Sequence, residues 1–586
     1  MLAVPRVQTV LPLVVYSVFT VFWIGRGVVL HPTSTVLGDA DRDKTILMWS
    51  FRWWPHAIAH FHDPFVANVV WAPHGVNLAW VTSSPTLSFA LAPFTETLGP
   101  VFSYNFAALA APPLAAWTTY LLARRVTRNV SASLVAGFLF GFSPYLINQS
   151  VGHLNLSFVC LVPLVGLLAV RFLDGSLGRR RYAVLLALVL ALQFGISTEI
   201  FATMTMFAAV VFVLAFFMLE LRGPLVALAR YTTFAYAAAG VIVAPYLVHA
   251  FASSAPPVRP HASEHSLDLA NVVFPTEATW LRPPHSGAIT GDFYGNQVND
   301  VVGYVGIPLL VLLLIAALEL RGRARRAYWF LLLGALVAEV LAMGPEVRVA
   351  GHRVVVGVWA LIEKLPAIGV ALPGRLAMYA ALLVALAVAV WLAQPGTRIW
   401  HYALTGVVAM SFLPTPAGAF WTAHVRQLPL FSSAAYKNVI RPGDVALVLP
   451  YAARDNSWSM LWQAQTDFRF TMLGGHIGQA IIPAECSWYG DYASLAGNHP
   501  PHGAAGFRRF LLAHNVDVIV VGPDTKTWAK ELLASSLPDV RFVSVGGATV
   551  LRLPADLPVA LPPDAPPLRA GPVYNPFPGR AVCARR

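Results

Sequence analysis

Apolar runs of about 20 residues recur along this chain, separated by short arginine-rich turns. A helix rises about 1.5 Å per residue and a bilayer's hydrocarbon core is about 30 Å thick, so each run is long enough to span it. The chain is 57% hydrophobic and 12% charged, whereas a soluble domain carries about 25% charged residues. Mean hydropathy is +0.62. This patterning predicts a polytopic α-helical membrane protein. The net charge of +12 sits in turns between apolar segments, so it does not point to nucleic acid.

Eleven spans are expected, at residues 8–30, 101–123, 130–147, 153–172, 182–198, 200–219, 231–251, 302–318, 327–343, 376–394 and 400–415. The first apolar run is too long for a signal-peptide core and lacks a small-residue cleavage site, so it reads as a retained span. Residues 85–98 are apolar but short and contain Pro85 and Pro93; they read as a re-entrant or interfacial helix. With that assignment the basic clusters Arg124-Arg125, Arg179-Arg180-Arg181, Arg222 and Arg321 to Arg326 share one face. The positive-inside rule makes that face cytoplasmic, with the N-terminus inside and the C-terminus outside.

All long polar stretches then meet on the outer face: 31–84, 252–301, 344–375 and the tail from 416. Within the first, residues 44–61 read as a helix lying along the membrane surface, with Ile46, Leu47, Phe51, Trp54 and Ile58 on its apolar side. A transmembrane domain over 1–415 and an extracytoplasmic α/β domain over 416–586 are expected. In the latter, strands at 445–449, 516–521 and 548–553 alternate with helices at 458–465 and 525–536, and a proline-rich tail follows. Cys486 and Cys583 fall in this region, as a disulfide or as two thiols.

Three aspartates, Asp39, Asp41 and Asp43, follow the first span within five residues. A carboxylate at the outer interface can act as a general base toward a hydroxyl or ligate a divalent cation; the alternative is a solvated loop that ends the helix. Asp39 is nearest the span, and Asp43 suits a helix N-terminus. His153 and Asn155 at an outer turn could hydrogen-bond a sugar or phosphate, or cap the turn. Glu199 lies in a short turn inside apolar sequence, where a carboxylate points to function or marks the turn. Arg375 stands on the side opposite the basic turns, where a phosphate or an acidic side chain would partner it. Asp300, with Asp292 and Tyr304, forms a polar group before the eighth span that either joins the same cavity or caps that helix. His60, His62 and Asp63 are a weak zinc pattern.

Several segments resemble the GT-C superfamily of polytopic glycosyltransferases, near uncharacterised bacterial members: Gly38 to Asp43 followed by Trp49, Asp63-Pro64-Phe65, Ala72-Pro73-His74-Gly75-Val76-Asn77-Leu78, Phe142-Ser143-Pro144-Tyr145 and Gly152-His153-Leu154-Asn155-Leu156. The resemblance covers roughly residues 10–400. It implies an inverting glycosyltransferase of the bacterial cytoplasmic membrane with its active site facing outside. The donor would be a polyprenyl-phosphate-linked sugar, and the acceptor an envelope glycan, lipid or protein. The catalytic carboxylate of the first outer loop maps onto Asp39, Asp41 or Asp43, and His153, Asn155, Glu199, Asp300 and Arg375 would bind donor or substrate. The resemblance specifies no cofactor; for a divalent cation, Mg2+ or Mn2+, Asp39 and Asp43 are the candidate ligands on their own chemistry. The alternatives are a lipid-linked saccharide transporter or flippase, and a non-catalytic envelope assembly protein.

Overall fold

The computed structural model describes residues 6–557 apart from 39–42, 74, 253–261, 277, 291–292, 294–301, 366–370, 419–420, 453–455, 478–494 and 496–502. Asp39, Asp41, Asp300, Cys486 and Cys583 therefore lie outside the described residues. The chain forms two compact units. One comprises residues 1–39, 105–244 and 260–423; the other comprises 40–104, 245–259 and 424–586.

The first unit is helical. Among the described residues, five helices are long and apolar enough to cross a membrane: Pro100–Thr127, Leu154–Leu173, Thr198–Met218, Arg222–Ile242 and Pro373–Leu392. A sixth is formed if Val130–Gly141 and Pro144–Gly152, bent by 42°, count as one broken span. Val7–Trp23 and Ile307–Glu319 are apolar but shorter. Arg179–Ile196, Gly322–Ala342 and Ile399–Ser411 occupy three more of the expected positions. The 8–30 run does not form one helix. It breaks after Trp23 and resumes as Arg26–Leu30, with Gly25 against the Leu109 side chain at the break.

Burial sorts these helices. The Pro373–Leu392 window is 89% buried and Arg222–Ile242 only 17%. An apolar helix enclosed by others is a core element, whereas an exposed apolar one faces lipid. The Ala377–Leu392 helix is thus the centre of this unit, packed against Gly322–Ala342 and Val130–Gly141. Helices in lipid lack a hydrophobic drive toward each other, so close approach of backbones has to supply the contact. Gly137 and Gly141, one turn apart, do this: a side chain on either would run into the Ala116 or Pro112 carbonyl of the Pro100–Thr127 helix. Beside them the Tyr16 hydroxyl donates to the Leu134 carbonyl at 2.8 Å.

In the second unit a helix does occupy the expected surface-helix position, as Asp43–Ala59, but it is not amphipathic. Lys44 through Phe51, with Trp53, Trp54 and Ala57, are buried, while Ile58 is exposed. The Pro85–Leu98 helix and the Trp458–Gln465 helix pack against it. Each buried tryptophan removes on the order of 200 Å² from water, and both faces of this helix carry one. That explains why a membrane-surface assignment from tryptophan content goes astray.

A five-stranded sheet completes this unit, in the order Phe542–Val545, Ala548–Arg552, Val518–Val521, Val445–Leu449, Thr471–Met472. The three innermost strands and the Trp458–Gln465 and Thr527–Ser536 helices lie where β-branched runs and helical spacing predict them. Val445–Leu449 pairs parallel with both neighbours and is almost wholly buried, as expected of a parallel strand covered on both faces. Gln463 ties the helices to the sheet edge. Its Oε1 accepts the Trp49 indole N–H at 2.8 Å, and its Nε2 donates to the Val69 and Phe470 carbonyls at 2.6 and 3.0 Å.

Candidate functional site

The Pro144–Gly152 helix organises the candidate site in the first unit. Ser143 caps its N-terminus through Leu146 N–H, and Pro144 occupies the first turn, where a missing N–H costs nothing. All nine residues are buried. Its ends are about 12 Å apart, at about 1.5 Å per residue, and each end carries polar groups.

At the C-terminal end, Gly38 meets the helix. Its φ is +83°, and a Cβ there would overlap the Val151 carbonyl, so only glycine brings the chain this close. The Gly38 N–H donates to the Trp421 carbonyl at 2.8 Å. One residue before it, Leu37 N–H donates to Asn105 Oδ1 at 3.0 Å, and Asn105 Nδ2 returns bonds to the Pro32 and Thr35 carbonyls. The chain that enters the acidic stretch is therefore fixed from several sides. His153 follows directly: its backbone N–H caps the helix at Gln149, and its Nδ1 lies 3.2 Å from Gln149 Oε1. Asn155 is buried, and its Oδ1 has no hydrogen-bond partner among the described residues. A buried orphan oxygen costs about 1–3 kcal/mol, so it stands ready for a donor or a cation.

At the N-terminal end, Tyr145 is buried within electrostatic reach of Arg375 and Glu199. Glu199 opens the Thr198–Met218 helix and accepts the Leu372 N–H at 3.1 Å. Arg375, almost fully buried, has its Nε 3.8 Å from Glu199 Oε1. At that length the pair is Coulombic rather than hydrogen-bonded. Thr203 and Tyr379 share a hydroxyl contact of 2.9 Å one turn along. The structure thus brings Arg375 and Glu199 together, and His153 next to Asn155, on opposite ends of one short helix.

The other expected residues fall elsewhere. Asp43 opens the Asp43–Ala59 helix in the second unit, as its helix-start position suggests. In the His60, His62, Asp63 pattern, Asp63 turns away to accept from His249 Nε2 at 2.8 Å, and His60 lies with His56 and Asp467 instead. The sequence reading missed Tyr145, although it lies in a quoted motif. It also missed Glu339, a single acid in an apolar helix. Glu339 lines a cavity of about 40 Å³ with Tyr145, Tyr304 and Phe412, and its Oε2 has no partner among the described residues. Neither His153 nor Arg375 lines that cavity.

The arrangement defines a helical bundle in which, among the described residues, five or six helices are long and apolar enough to cross a membrane. The arabinofuranosyltransferase AftD from Mycobacteria shares this fold at a TM-score of 0.59 and 14% identity, over 94% of this chain and 40% of AftD's. A mutant of AftD gives 0.55 at 15% identity, over 94% and 42%. The archaeal oligosaccharyltransferase AglB from Archaeoglobus fulgidus, at 13% identity over 94% and 75%, reaches only 0.41, too low to bear on the fold. This chain therefore spans less than half the length of AftD. Residues 14–413 match the family described as a domain of unknown function, DUF6311, and the protein belongs to that family. A search of curated proteins found no match.

Proposed function

We propose that this protein is an inverting glycosyltransferase that takes a sugar from a polyprenyl-phosphate donor at the outer face of the bacterial cytoplasmic membrane. The observation that carries this reading is the seating of Gly38 on Val151. Gly38 leads directly into the acidic stretch that holds Asp39, and its own position against Val151 tolerates no side chain. The eleven-span, N-inside topology belongs to the same proposal.

In this mechanism the Asp39 carboxylate accepts the proton of the acceptor hydroxyl as its oxygen attacks the anomeric carbon. The bond from that carbon to the lipid phosphate breaks, and the phosphate leaves with the electron pair. Arg375 stabilises the charge that develops on it. Glu199 holds Arg375 in place and offsets its charge before the donor arrives. His153 and Asn155 orient sugar hydroxyls, with the Asn155 Oδ1, unpaired among the described residues, as acceptor. Asp41 and Asp43 are the other candidates for the base, and Asp300 for a donor contact. Asp39 and Asp43 are the candidate ligands for a divalent cation, since carboxylates are hard oxygen donors. When bound, it would neutralise donor phosphate charge.

The fold shared with AftD supports a sugar-transfer reading, and the acceptor class is an envelope glycan, lipid or protein. A deletion strain should accumulate the donor or lack one envelope sugar. Complementation with alanine at Asp39, Asp41 or Asp43, one at a time, should fail for at least one. Full complementation by all three overturns the assignment.

A second reading, transport of a lipid-linked saccharide, draws on Glu339 and on Gln193, whose amide has no partner among the described residues. Unpaired polar groups at membrane depth suit a translocation path. Flipping of a labelled polyprenyl-phosphate sugar by proteoliposomes lacking acceptor would favour it, and no flipping would remove it.

A further inference from the structure

We propose that His56, His60 and Asp467 form a Zn2+-type metal site that fastens the Asp43–Ala59 helix to the turn after the Trp458–Gln465 helix. The three residues belong to the second unit, and the site is independent of the sugar-transfer chemistry.

The geometry follows from helical spacing. His56 and His60 are four residues apart, so both rings project from one face of the helix, with centroids 4.1 Å apart. One donor atom from each residue lies within 4.8 Å of the other two. His56 Nδ1 is 3.0 Å from Asp467 Oδ1. Two ligands at about 2.1 Å from a tetrahedral zinc sit about 3.4 Å apart, so this edge is close to the length a shared ion requires. His60 is exposed, and a small swing of its ring closes the third edge.

Three further features mark a prepared site. First, His60 Nδ1 lies 2.9 Å from the His56 carbonyl. A bond from ring N–H to backbone carbonyl is how metal-ligating histidines are usually oriented, leaving Nε2 for the ion. Second, Asp467 and Phe468 both have positive φ, 55° and 57°. Two successive non-glycine residues in this region are strained and persist only where the surroundings impose them. The turn is pinned by the Phe468 ring, which meets Trp49, Trp53 and His56 edge-on at 5.5, 5.3 and 4.9 Å. The same turn aims Asp467 at the histidines. Third, the exposure of His60 and Asp467 leaves room for water at the remaining coordination positions.

Arg52 is the competing group, with Nη2 3.2 Å from Asp467 Oδ1. It also pairs with Glu96, so it keeps a carboxylate partner when a cation takes Asp467. Two imidazoles and one carboxylate with open positions select Zn2+ or a similar borderline ion over Mg2+ or Ca2+.

The test titrates the metal-stripped, tag-free full-length protein in detergent with Co2+, read by its visible absorption, and then with Zn2+ as competitor. One equivalent should bind to the wild type. His60→Ala and Asp467→Asn should each weaken binding at least tenfold, while His62→Ala should leave it unchanged. Zn2+ should also raise the Tm of the wild type and not that of His60→Ala, which alters an exposed side chain and leaves the packed aromatic layer intact. Failure of the wild type to bind, or unchanged binding in His60→Ala, overturns the proposal and leaves an ordinary ion pair between helix and turn.

Discussion

Gly38 and Val151 pack backbone against backbone, with no space for a side chain between them. This contact fixes where the acidic stretch begins, and its φ of +83° excludes other residues a second time. Gly38→Ala should cost at least about 1 kcal/mol from the backbone conformation alone, with the overlap added. We expect the variant to insert into the membrane normally and to fail to complement a deletion strain. Normal complementation would show that this contact does not position the site.

Gln463→Leu should be among the most damaging substitutions in the second unit. It removes the partner of the Trp49 N–H and the amide bonds to the Val69 and Phe470 carbonyls together, leaving the Val69 carbonyl with the Met472 N–H, and each unmet buried group costs about 1–3 kcal/mol. Thermal unfolding of the purified protein should show a large fall in Tm. A change within experimental scatter would mean that water replaces the amide.

Gly137→Leu and Gly141→Leu should prevent the Val130–Gly141 helix from seating on Pro100–Thr127, since both positions meet backbone carbonyls of that helix, and Gly137 meets the Tyr16 hydroxyl as well. Reduced expression and increased proteolysis in membranes are the expected readouts. Alanine at the same positions should be milder, because a methyl group demands a smaller shift of the partner helix.

Asp174 offers a test of pH dependence at a turn outside the spans. Burial, the largest single influence, pushes its carboxyl up. Bonds from Ser176 and the Arg125 guanidinium outweigh it and hold the group below the usual carboxylate range. Arg125 Nε donates to Asp174 Oδ2 at 2.6 Å. A group depressed in the folded state contributes stability above its unfolded value of about 3.9, and that contribution is lost as pH falls through the folded value. Asp174→Asn should therefore be slightly less stable than the wild type at pH 6, and the difference should shrink as pH falls below the unfolded value. The difference should shrink with added salt, since both partners are about one-third exposed.

Several of the long apolar helices and the α/β sheet were legible because periodicity and β-branched runs report burial directly. Val445–Leu449 and Trp458–Gln465 lie where their residues place them. The burial of the Asp43–Ala59 helix was not legible. Tryptophans at Trp49, Trp53 and Trp54 look alike whether they meet headgroups or a protein partner, and that partner lies hundreds of residues away in sequence. For the same reason His60 pointed to its sequence neighbours His62 and Asp63, whereas His56 lies one helical turn back and Asp467 comes from the far end of the chain. Arg375 and Glu199 were each singled out, and their proximity required the fold.

The Trp49 to Gln463 bond joins residues 414 positions apart. At about 5–20 residues per second of synthesis, the first partner waits roughly 20–80 s for the second. During that interval a tryptophan-rich helix has been made without the chain that will bury it. The order of translation thus makes this half of the molecule a late assembly, dependent on whatever shelters Trp49, Trp53 and Trp54 until the C-terminal sheet arrives. A ribosome stalled after residue 423 would hold a second unit that cannot yet close.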